Sequence, residues 1–414
     1  MSNNQKTEKN EVKYVPKLRF SEFKKEKSWK KKQLQNVCEI NPQSKKLPDS
    51  FIYIDLESVN DGRLLKKQHI NVENAPSRAQ RVLQINDILF QTVRPYQKNN
   101  YLFLIKDKYE YIASTGYAQL RANESVHYLY QYIHTDNFVN AVLKKSTGTN
   151  YPAINSAELA KIDILIPNLA EQQKIASCIS SLDELIQNES SKLEAYKQHK
   201  SGLLQQLFPR DGGSLPSIRF DEFSENWRKQ KIGDFIEDFL DKSTSHNEYE
   251  VFTSSKSGLM KQTEYYENSR LSTRDNSGFN VIPPNYITYR SRSDNRKFYF
   301  NENKLGVTGL VSTYYPVFKI VNGFNHFFIE LFSRYQDEIG KYSIGTSQTV
   351  LSIKELKRIS LPVPKTLEEQ QKIAKCLSSI DDLIIHQNNY IDKLKEHKKG
   401  LMQQLFPVLE EASA

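Results

Sequence analysis

The chain has 414 residues, enough for two or more domains that each bury a core of their own. Its formal net charge of +9 favours a polyanionic partner, because lysine and arginine that neutralise phosphates release condensed counterions, although proteins that bind no nucleic acid also reach this charge. No apolar run approaches the roughly 18–20 residues that span a bilayer. Three cysteines are too few for a disulfide framework, and the polar N-terminus shows no secretory signal, so we expect a reduced, cytoplasmic protein outside any membrane.

The first part of the chain is predicted to be a short tail followed by an α+β domain. Residues 1–11 are polar and charged and are predicted to be disordered, and residues 12–167 form the predicted domain. Its β-rich runs at 51–54, 88–90 and 101–105 are separated by turn residues, and a helix is expected at about 125–145.

Residues 168–209 are predicted to form one long helix. Asn168 and Glu171 have the spacing of a capping box, and Pro209 ends the helix because proline cannot continue the backbone hydrogen bonds. The apolar residues follow a heptad pattern, which is typical of a coiled coil. The predicted coiled-coil core of this helix is Ile175, Ile179, Leu182, Ile186, Leu193, Leu203 and Leu207.

The second half of the chain repeats this order. After a linker at 210–215, residues 216–364 are a second predicted α+β domain, with β-rich runs at 286–289 and 314–320 and a helix at about 323–340. Residues 365–407 are a second long helix, starting near Thr366 and Glu369, and residues 408–414 are a C-terminal tail. The predicted core of the second helix is Ile373, Leu377, Ile380, Ile384, Ile391, Leu394, Leu401 and Leu405.

The two long helices are nearly the same sequence. Residues 171–209 and 369–407 align without a gap and are identical at 22 of 39 positions. Both interrupt the heptad pattern at the same places, where Glu189 matches Gln387 and Lys200 matches Lys398, and shared polar layers fix register. We therefore predict an internal repeat with pseudo-twofold symmetry, in which the two helices form an antiparallel coiled coil. Pairing of each helix with another protein, or dimerisation of the chain, remains the alternative.

Polar loops with interleaved aromatic residues occur at corresponding places in the two domains. Arginine, lysine, glutamine and asparagine can bond to base edges and also to phosphates, although each loop taken by itself is equally consistent with a solvated surface. The candidate DNA-binding residues are Arg94, Tyr96, Gln97, Lys98, Asn99, Thr149, Asn150 and Tyr151 in the first domain, and Ser255, Lys256, Arg290, Arg292, Asp294, Arg296, Ser347 and Gln348 in the second.

The sequence offers no candidate catalytic residue and no metal site. The phosphate-binding pattern GxxxxGK[ST] is missing, and no cysteine–histidine spacing suits a metal. The run Ile282-Pro-Pro-Asn285 lacks the flanking residues of an adenine methyltransferase motif, and we interpret it as a turn before a strand. We therefore expect no cofactor on this chain.

The arrangement resembles the specificity subunit of Type I restriction–modification systems. The residues that carry the likeness are the doubled helices EQQKIA…GLLQQLFP and EQQKIA…GLMQQLFP, the domain starts WKKKQL and WRKQKI, and the domain ends at 148–154 and 345–351. The likeness extends from about Pro16 to Pro407.

This resemblance implies two target recognition domains that each read one half of a bipartite site in double-stranded DNA. In that family the coiled coil sets the distance between the half-sites and docks two modification subunits, which bind S-adenosylmethionine and methylate adenine. Two restriction subunits that use ATP and Mg²⁺ complete the nuclease, so the chain would not be an enzyme by itself. The alternative is a non-enzymatic coiled-coil scaffold with two domains that bind proteins or other ligands.

Overall fold

The computed structural model describes residues 13–43, 46–256, 258–265 and 275–409. The predicted tail at 1–11 and the last five residues of the predicted tail at 408–414 lie outside the described residues. The chain divides into two compact units, one made of residues 1–189 and 390–414 and the other of residues 190–389. Each unit therefore contains one α+β domain, the first half of the long helix that follows that domain in the sequence, and the second half of the other long helix.

The first unit begins with short strands and three short helices, which lead into the long helix α4. Its elements up to α4 are β1 Lys30–Gln33, β2 Cys38–Ile40, β3 Ser50–Ile54, β4 Val59–Asn60, β5 Arg63–Leu64, β6 Gln68–Asn71, β7 Ala79–Val82, β8 Asp87–Gln91, β9 Tyr101–Leu102, β10 Tyr111–Ser114, β11 Tyr117–Ala122, α1 Val126–Tyr132, α2 Asp136–Lys144, α3 Ser156–Ala160, β12 Asp163–Ile166 and α4 Leu169–Leu207.

Two four-stranded sheets form the body of the first domain. Their strand orders are β6-β3-β10-β7 and β2-β11-β8-β9, and β3 and β10 pair in parallel whereas the other neighbours are antiparallel. The central strand β8, with the sequence DILFQ, is buried at every position. A separate ribbon of β1 and β12 leads from the domain into α4.

The second unit contains a similar succession of elements. They are β13 Arg228–Lys231, β14 Ile236–Phe239, β15 Glu250–Ser255, β16 Gly258–Lys261, α5 Gln262–Tyr265, β17 Asn280–Ile282, β18 Ile287–Tyr289, β19 Arg292–Ser293, β20 Phe300–Glu302, β21 Gly309–Val311, β22 Val317–Ile320, α6 Asn325–Arg334, α7 Gln336–Lys341, β23 Thr349–Val350, α8 Ile353–Arg358, β24 Ser360–Val363 and α9 Leu367–Leu405. The described residues of this unit include no counterpart of β4 and β5 but add α5, β19 and β23.

The second domain has the same sheet topology as the first. The orders β16-β15-β21-β17 and β14-β22-β18-β20 match the two sheets of the first domain strand for strand, and β15 pairs with β21 in parallel as β3 does with β10. The strands predicted at 101–105 and 314–320 are shorter than expected, because only β9 (Tyr101–Leu102) and β22 (Val317–Ile320) pair with neighbours.

Each predicted short helix is two helices in the structure. The helix expected at 125–145 divides at Thr135, whose hydroxyl accepts a hydrogen bond from the Phe138 amide and so caps a new helix. The helix expected at 323–340 divides at Tyr335 into α6 and α7.

The two long helices each have 39 residues and run antiparallel within each unit. In the first unit the Lys398 ammonium near the end of α9 lies 2.5 Å from the carboxylate of Asp183 in the first half of α4. In the second unit Lys200 near the end of α4 lies 2.7 Å from Asp381 in the first half of α9. Of the predicted coiled-coil core residues, five are half-buried and the rest are buried; the half-buried five are Leu182, Leu203, Ile384, Leu394 and Leu401.

The start of each long helix is fixed to its own domain by an arginine and a tryptophan. The Glu171 amide donates to the Asn168 side chain at 2.9 Å, which is the predicted N-cap. The Glu171 carboxylate receives two bonds from Arg19 at 2.8 and 2.7 Å and one from the Trp29 indole at 3.3 Å. Only one half of the predicted capping box therefore forms. The Asn168 side chain caps the Glu171 amide, but the Glu171 carboxylate bonds to Arg19 and Trp29 of the domain. The second unit repeats it with Glu369, Arg219 and Trp227.

The core of each unit includes the end of the long helix that comes from the other half of the sequence. In the first unit Phe406 of the C-terminal segment packs against Trp29 and Tyr128. In the second unit Phe208 packs against Trp227 and Phe327. Each unit therefore buries aromatic side chains from segments far apart in the sequence, and neither core is complete without both segments.

Candidate nucleic-acid interface

Two of the predicted loops of the first domain lie side by side. The chain leaves β8 through Val93, which forms a bridge with Ala153, and the Arg94 amide donates to the Pro152 carbonyl at 2.7 Å. The loop at 94–99 is therefore joined to the loop at 149–151 by main-chain hydrogen bonds. Both loops were predicted from the sequence to bind DNA, and in the structure they lie next to each other.

Arg94 is held in an unusual conformation that places its side chain on an exposed tyrosine. Its φ of +55° lies in the left-handed region, and Pro95, which follows it, disfavours the right-handed helical region for the preceding residue. The guanidinium Cζ lies 4.2 Å from the centre of the Tyr151 ring, within the range of a cation–π interaction, and Tyr151 is 62% exposed. Arg94 has no ion pair with any described residue.

The second domain forms the same kind of site from partly different segments. Arg292 in β19 pairs with Val350 in β23, so the loop at 290–296 lies against the loop at 344–348. The Arg292 guanidinium lies 3.9 Å from the ring centre of Tyr314, and it too lacks an ion pair within the described part of the chain. Gln348 donates to Asp294 across the two loops at 3.4 Å.

The remaining predicted residues of these four loops are mostly at the surface. Exposed side chains in the first domain are Tyr96, Gln97, Thr149, Asn150 and Tyr151, and in the second Arg290, Asp294, Arg296, Ser347 and Gln348. An arginine that is stacked on a ring but free of carboxylates retains its donors for an external acceptor, either a phosphate or a guanine edge.

Other predicted residues are occupied within the domain. The Lys98 ammonium bonds to the Asp136 carboxylate at 2.7 Å and to the His134 carbonyl at 2.9 Å. Burial lowers the pKa of His134 to about 4, so the neutral ring accepts from Asn100 at 3.3 Å.

Four further predicted residues act as acceptors or lie on a separate turn. The Gln97 side-chain oxygen accepts from Gln91 at 2.9 Å, and that of Asn99 accepts from the Asp61 amide at 3.3 Å. Ser255 and Lys256 lie at the turn between β15 and β16, where the Ser255 carbonyl accepts from Asn301 at 2.8 Å. That turn lies beside β20 instead of between the loops at 290–296 and 344–348.

The sequence did not identify Tyr314 as a site residue. In the repeat the counterpart of the Tyr151 loop contains Gln348, and the ring that supports Arg292 comes instead from the turn between β21 and β22. The arginine of the second domain thus uses a tyrosine from a different loop than the arginine of the first domain. No periodicity or motif in the sequence indicates this difference.

One acidic cluster in the second unit has the composition of a metal site. His326, Glu330 and Asp381 bring their ligand atoms within 4.8 Å of one another. The Lys200 ammonium, however, lies 2.7 Å from both carboxylates. Burial raises the pKa of Glu330, and Lys200 opposes that rise. The cluster is thus a buried ion pair that joins α4, α6 and α9, with the lysine where a cation would lie. The equivalent in the first unit is Lys398 with Asp183, to which Gln131 donates at 2.8 Å.

Comparison with known proteins assigns this fold to a family. The family model described as "Type I restriction modification DNA specificity domain" matches residues 26–196 and again residues 224–396. The chain belongs to the type I restriction–modification DNA specificity family. The two matches are the two copies of the repeat, so the α+β domains are DNA recognition domains, each followed by its long helix. Membership also implies association with other restriction–modification subunits.

Similar proteins of known name match this chain along most of their length. The MjaX specificity subunit of Methanocaldococcus jannaschii is 24% identical over 404 residues, which are 91% of this chain and 92% of the relative. The type I restriction enzyme MjaVIII specificity subunit of the same organism is 26% identical over 296 residues, 64% of this chain and 66% of that protein.

Solved structures agree with the fold. The S subunit of the type I restriction–modification system of M. genitalium superposes with a TM-score of 0.56 at 16% identity, covering 96% of this chain and all of that one. A chain from a structure described as a type I R-M system gives a TM-score of 0.55 at 20% identity, covering 92% of this chain and 97% of its own. Among the described residues no helix is long and apolar enough to cross a membrane.

Proposed function

We propose that this chain reads a bipartite sequence in double-stranded DNA, one half with each recognition domain. The observation that carries the proposal is the pair of arginines, Arg94 and Arg292, each stacked on a tyrosine and free of carboxylates among the described residues. Each lies between two exposed polar loops of its own domain. A contact surface of this kind in both domains favours two separate contacts with one duplex, and the net charge of +9 favours attraction to its phosphates.

The long helices would set the distance between the two half-sites and dock the modification subunits. Their sequences are far more alike than those of the recognition domains, as expected for surfaces that bind two copies of the same partner. S-adenosylmethionine would bind to the modification subunits, and ATP and Mg²⁺ to the restriction subunits, so this chain would direct methylation of adenine without catalysing it. The complex would act on cytoplasmic DNA.

The proposal is tested by co-expressing the chain with its modification subunit and mapping methylated adenines in the host DNA. We expect one motif with two specified parts and a fixed unspecified gap. Inserting four residues, about one helical turn, in the middle of α4 and of α9 should lengthen the gap and leave both specified parts unchanged. A continuous motif, or methylation without sequence preference, would rule out the bipartite reading.

A further inference from the structure

A cavity in the second recognition domain opens beside Arg290 and Arg292. Its volume is about 670 Å³, within the range of pockets that bind small ligands. The residues that line it include the two arginines, Tyr314 and Gln348, and also residues of strand β15 and of the start of α5. The predicted DNA-binding loops thus form only part of the lining of a larger recess.

Some polar groups of this recess are used by the domain itself. The Asn247 side chain accepts from Asn276 at 2.9 Å. Glu250, the one acidic residue among the described residues that line the recess, forms an ion pair with Lys261 at 2.9 Å. The recess is therefore positively charged, since its carboxylate is neutralised while its two arginines are not.

Other polar groups in it have no partner among the described residues. The side chains of Thr253 and Gln262, two of the lining residues, make no hydrogen bond with another described residue. Thr253 is 9% exposed, and it is among the residues that line the recess. A hydroxyl and an amide in the same recess as two guanidiniums provide both donors and acceptors, which is the set that distinguishes one base from another.

The recess depends on a difference between the two recognition domains. At Gly309 in β21 a Cβ atom would lie 2.2 Å from the Phe252 ring, so only glycine leaves room for that ring beneath the recess. The first domain has Tyr111 at the corresponding position of β10, where it pairs with Ile52 as Gly309 pairs with Glu250. The recess wall is therefore not a general feature of the fold.

We propose that this recess is the specificity-determining site for the second half-site, and that it receives a nucleobase. Tyr314 supplies flat apolar surface for the face of the base, and Thr253 and Gln262 bond to its edge together with Arg290. Arg292, stacked as Arg94 is in the first domain, performs the task that the two domains share and contacts the DNA backbone. This inference rests on the proposed function, because it names the residues that select the bases of one half-site.

The test uses the complex of this chain with its modification subunit and compares Thr253→Val and Gln262→Ala with the unchanged chain. Losing one good base contact costs about 1–3 kcal/mol, which corresponds to a loss of discrimination of about 5- to 150-fold at one base pair. We expect the methylated motif to relax at a base pair of the second half-site, with the first half-site and the gap unchanged. Gln35→Ala is the matched control and should leave the motif intact, because Gln35 is an exposed glutamine of the first domain whose side chain bonds, among the described residues, only to Gln33.

The outcomes separate this inference from the function on which it rests. If the unchanged chain directs a bipartite motif and both variants direct the same motif with the same efficiency, the recess does not select bases and only this inference fails. Equal weakening of methylation at every sequence would also overturn it, since that result assigns the two residues to backbone contact. If the unchanged chain directs no bipartite motif, the proposed function itself fails.

A second arm distinguishes the two ways in which a base could reach the recess. 2-Aminopurine, which fluoresces strongly only when unstacked, is placed in turn at each position of the second half-site except the methylated adenine. A rise in fluorescence at one position, lost in Gln262→Ala, identifies a base turned out of the stack. A constant signal at every position, combined with the relaxed motif, identifies a base read within the duplex. If the methylated motif is unaltered in the variants, the proposal fails whichever of the two fluorescence patterns is observed.

Discussion

Lys200 is predicted to stabilise the second unit far more than its repeat counterpart Lys398 stabilises the first. The Lys200 ammonium is bonded to Glu330, whose side chain is 5% exposed, as well as to Asp381. Lys200→Met would leave a carboxylate buried and unpaired, a loss that costs about 3–5 kcal/mol in comparable buried pairs. Lys398→Met leaves only Asp183, which is 38% exposed and still bonded to Gln131, so we expect a loss of about 1 kcal/mol or less.

The pH dependence provides a further distinction between the two variants. Burial raises the pKa of Glu330, and the lysine partly counters this, so in Lys200→Met the pKa should rise further. A carboxyl with a raised pKa in the folded state binds more protons there than in the unfolded state, and folding is then favoured as the pH falls. The loss of unfolding free energy caused by Lys200→Met should therefore be smaller at pH 5 than at pH 7, whereas the loss caused by Lys398→Met should not change in this way.

Hydrogen exchange measured by mass spectrometry can follow the two units separately. We expect faster exchange in α6 for Lys200→Met, with little change in α1 and α2, and most protection regained in the double variant Lys200→Met with Glu330→Gln. The reasoning would be refuted if the two single variants lost the same stability, or if the double variant were no better than Lys200→Met.

Three other changes test the rest of the structure. Glu171→Gln removes the charge that binds Arg19, and should destabilise the first unit by about 2–4 kcal/mol and increase hydrogen exchange at 13–29. Unchanged hydrogen exchange there would contradict the role given to the bonds between Glu171 and Arg19. Burial lowers the pKa of His134 to about 4, so the first unit should lose stability as the pH falls from about 6.5 to 4, by at most about 1.4 kcal/mol per pH unit, and His134→Gln should flatten that slope in pH-dependent unfolding. Gly345→Ala adds a Cβ 2.5 Å from the Gln348 carbonyl at a φ of +127°, and should impair selection of the second half-site alone in a DNA-binding assay.

The sequence contains the local features of this fold because they depend on neighbouring residues. The N-cap at Asn168, the stop at Pro209 and the heptad pattern between them are set within one or two helical turns, and the helix begins and ends within two residues of the predicted limits. The repeat also predicted that Lys200 and Lys398 would form equivalent polar layers, and both do contact an aspartate of the other helix.

Long-range contacts could not be predicted in the same way. Phe406 completes the core of the domain that begins almost 400 residues earlier, and nothing near it in the sequence indicates that partner. The tyrosine under Arg292 comes from another loop than the tyrosine under Arg94, so the repeat itself is misleading at that point. The recess beside Arg290 depends on Gly309, whose effect appears only once β15 and β21 are paired.

The most direct test of the central claim is to give the chain two copies of one recognition domain. Residues 224–363 would replace residues 26–166, with both long helices kept, and the methylated motif would be mapped with the same modification subunit. If each domain reads its own half-site, the new motif will have two halves of identical base sequence, both equal to the second half of the original motif. A motif that keeps the original first half would contradict the account.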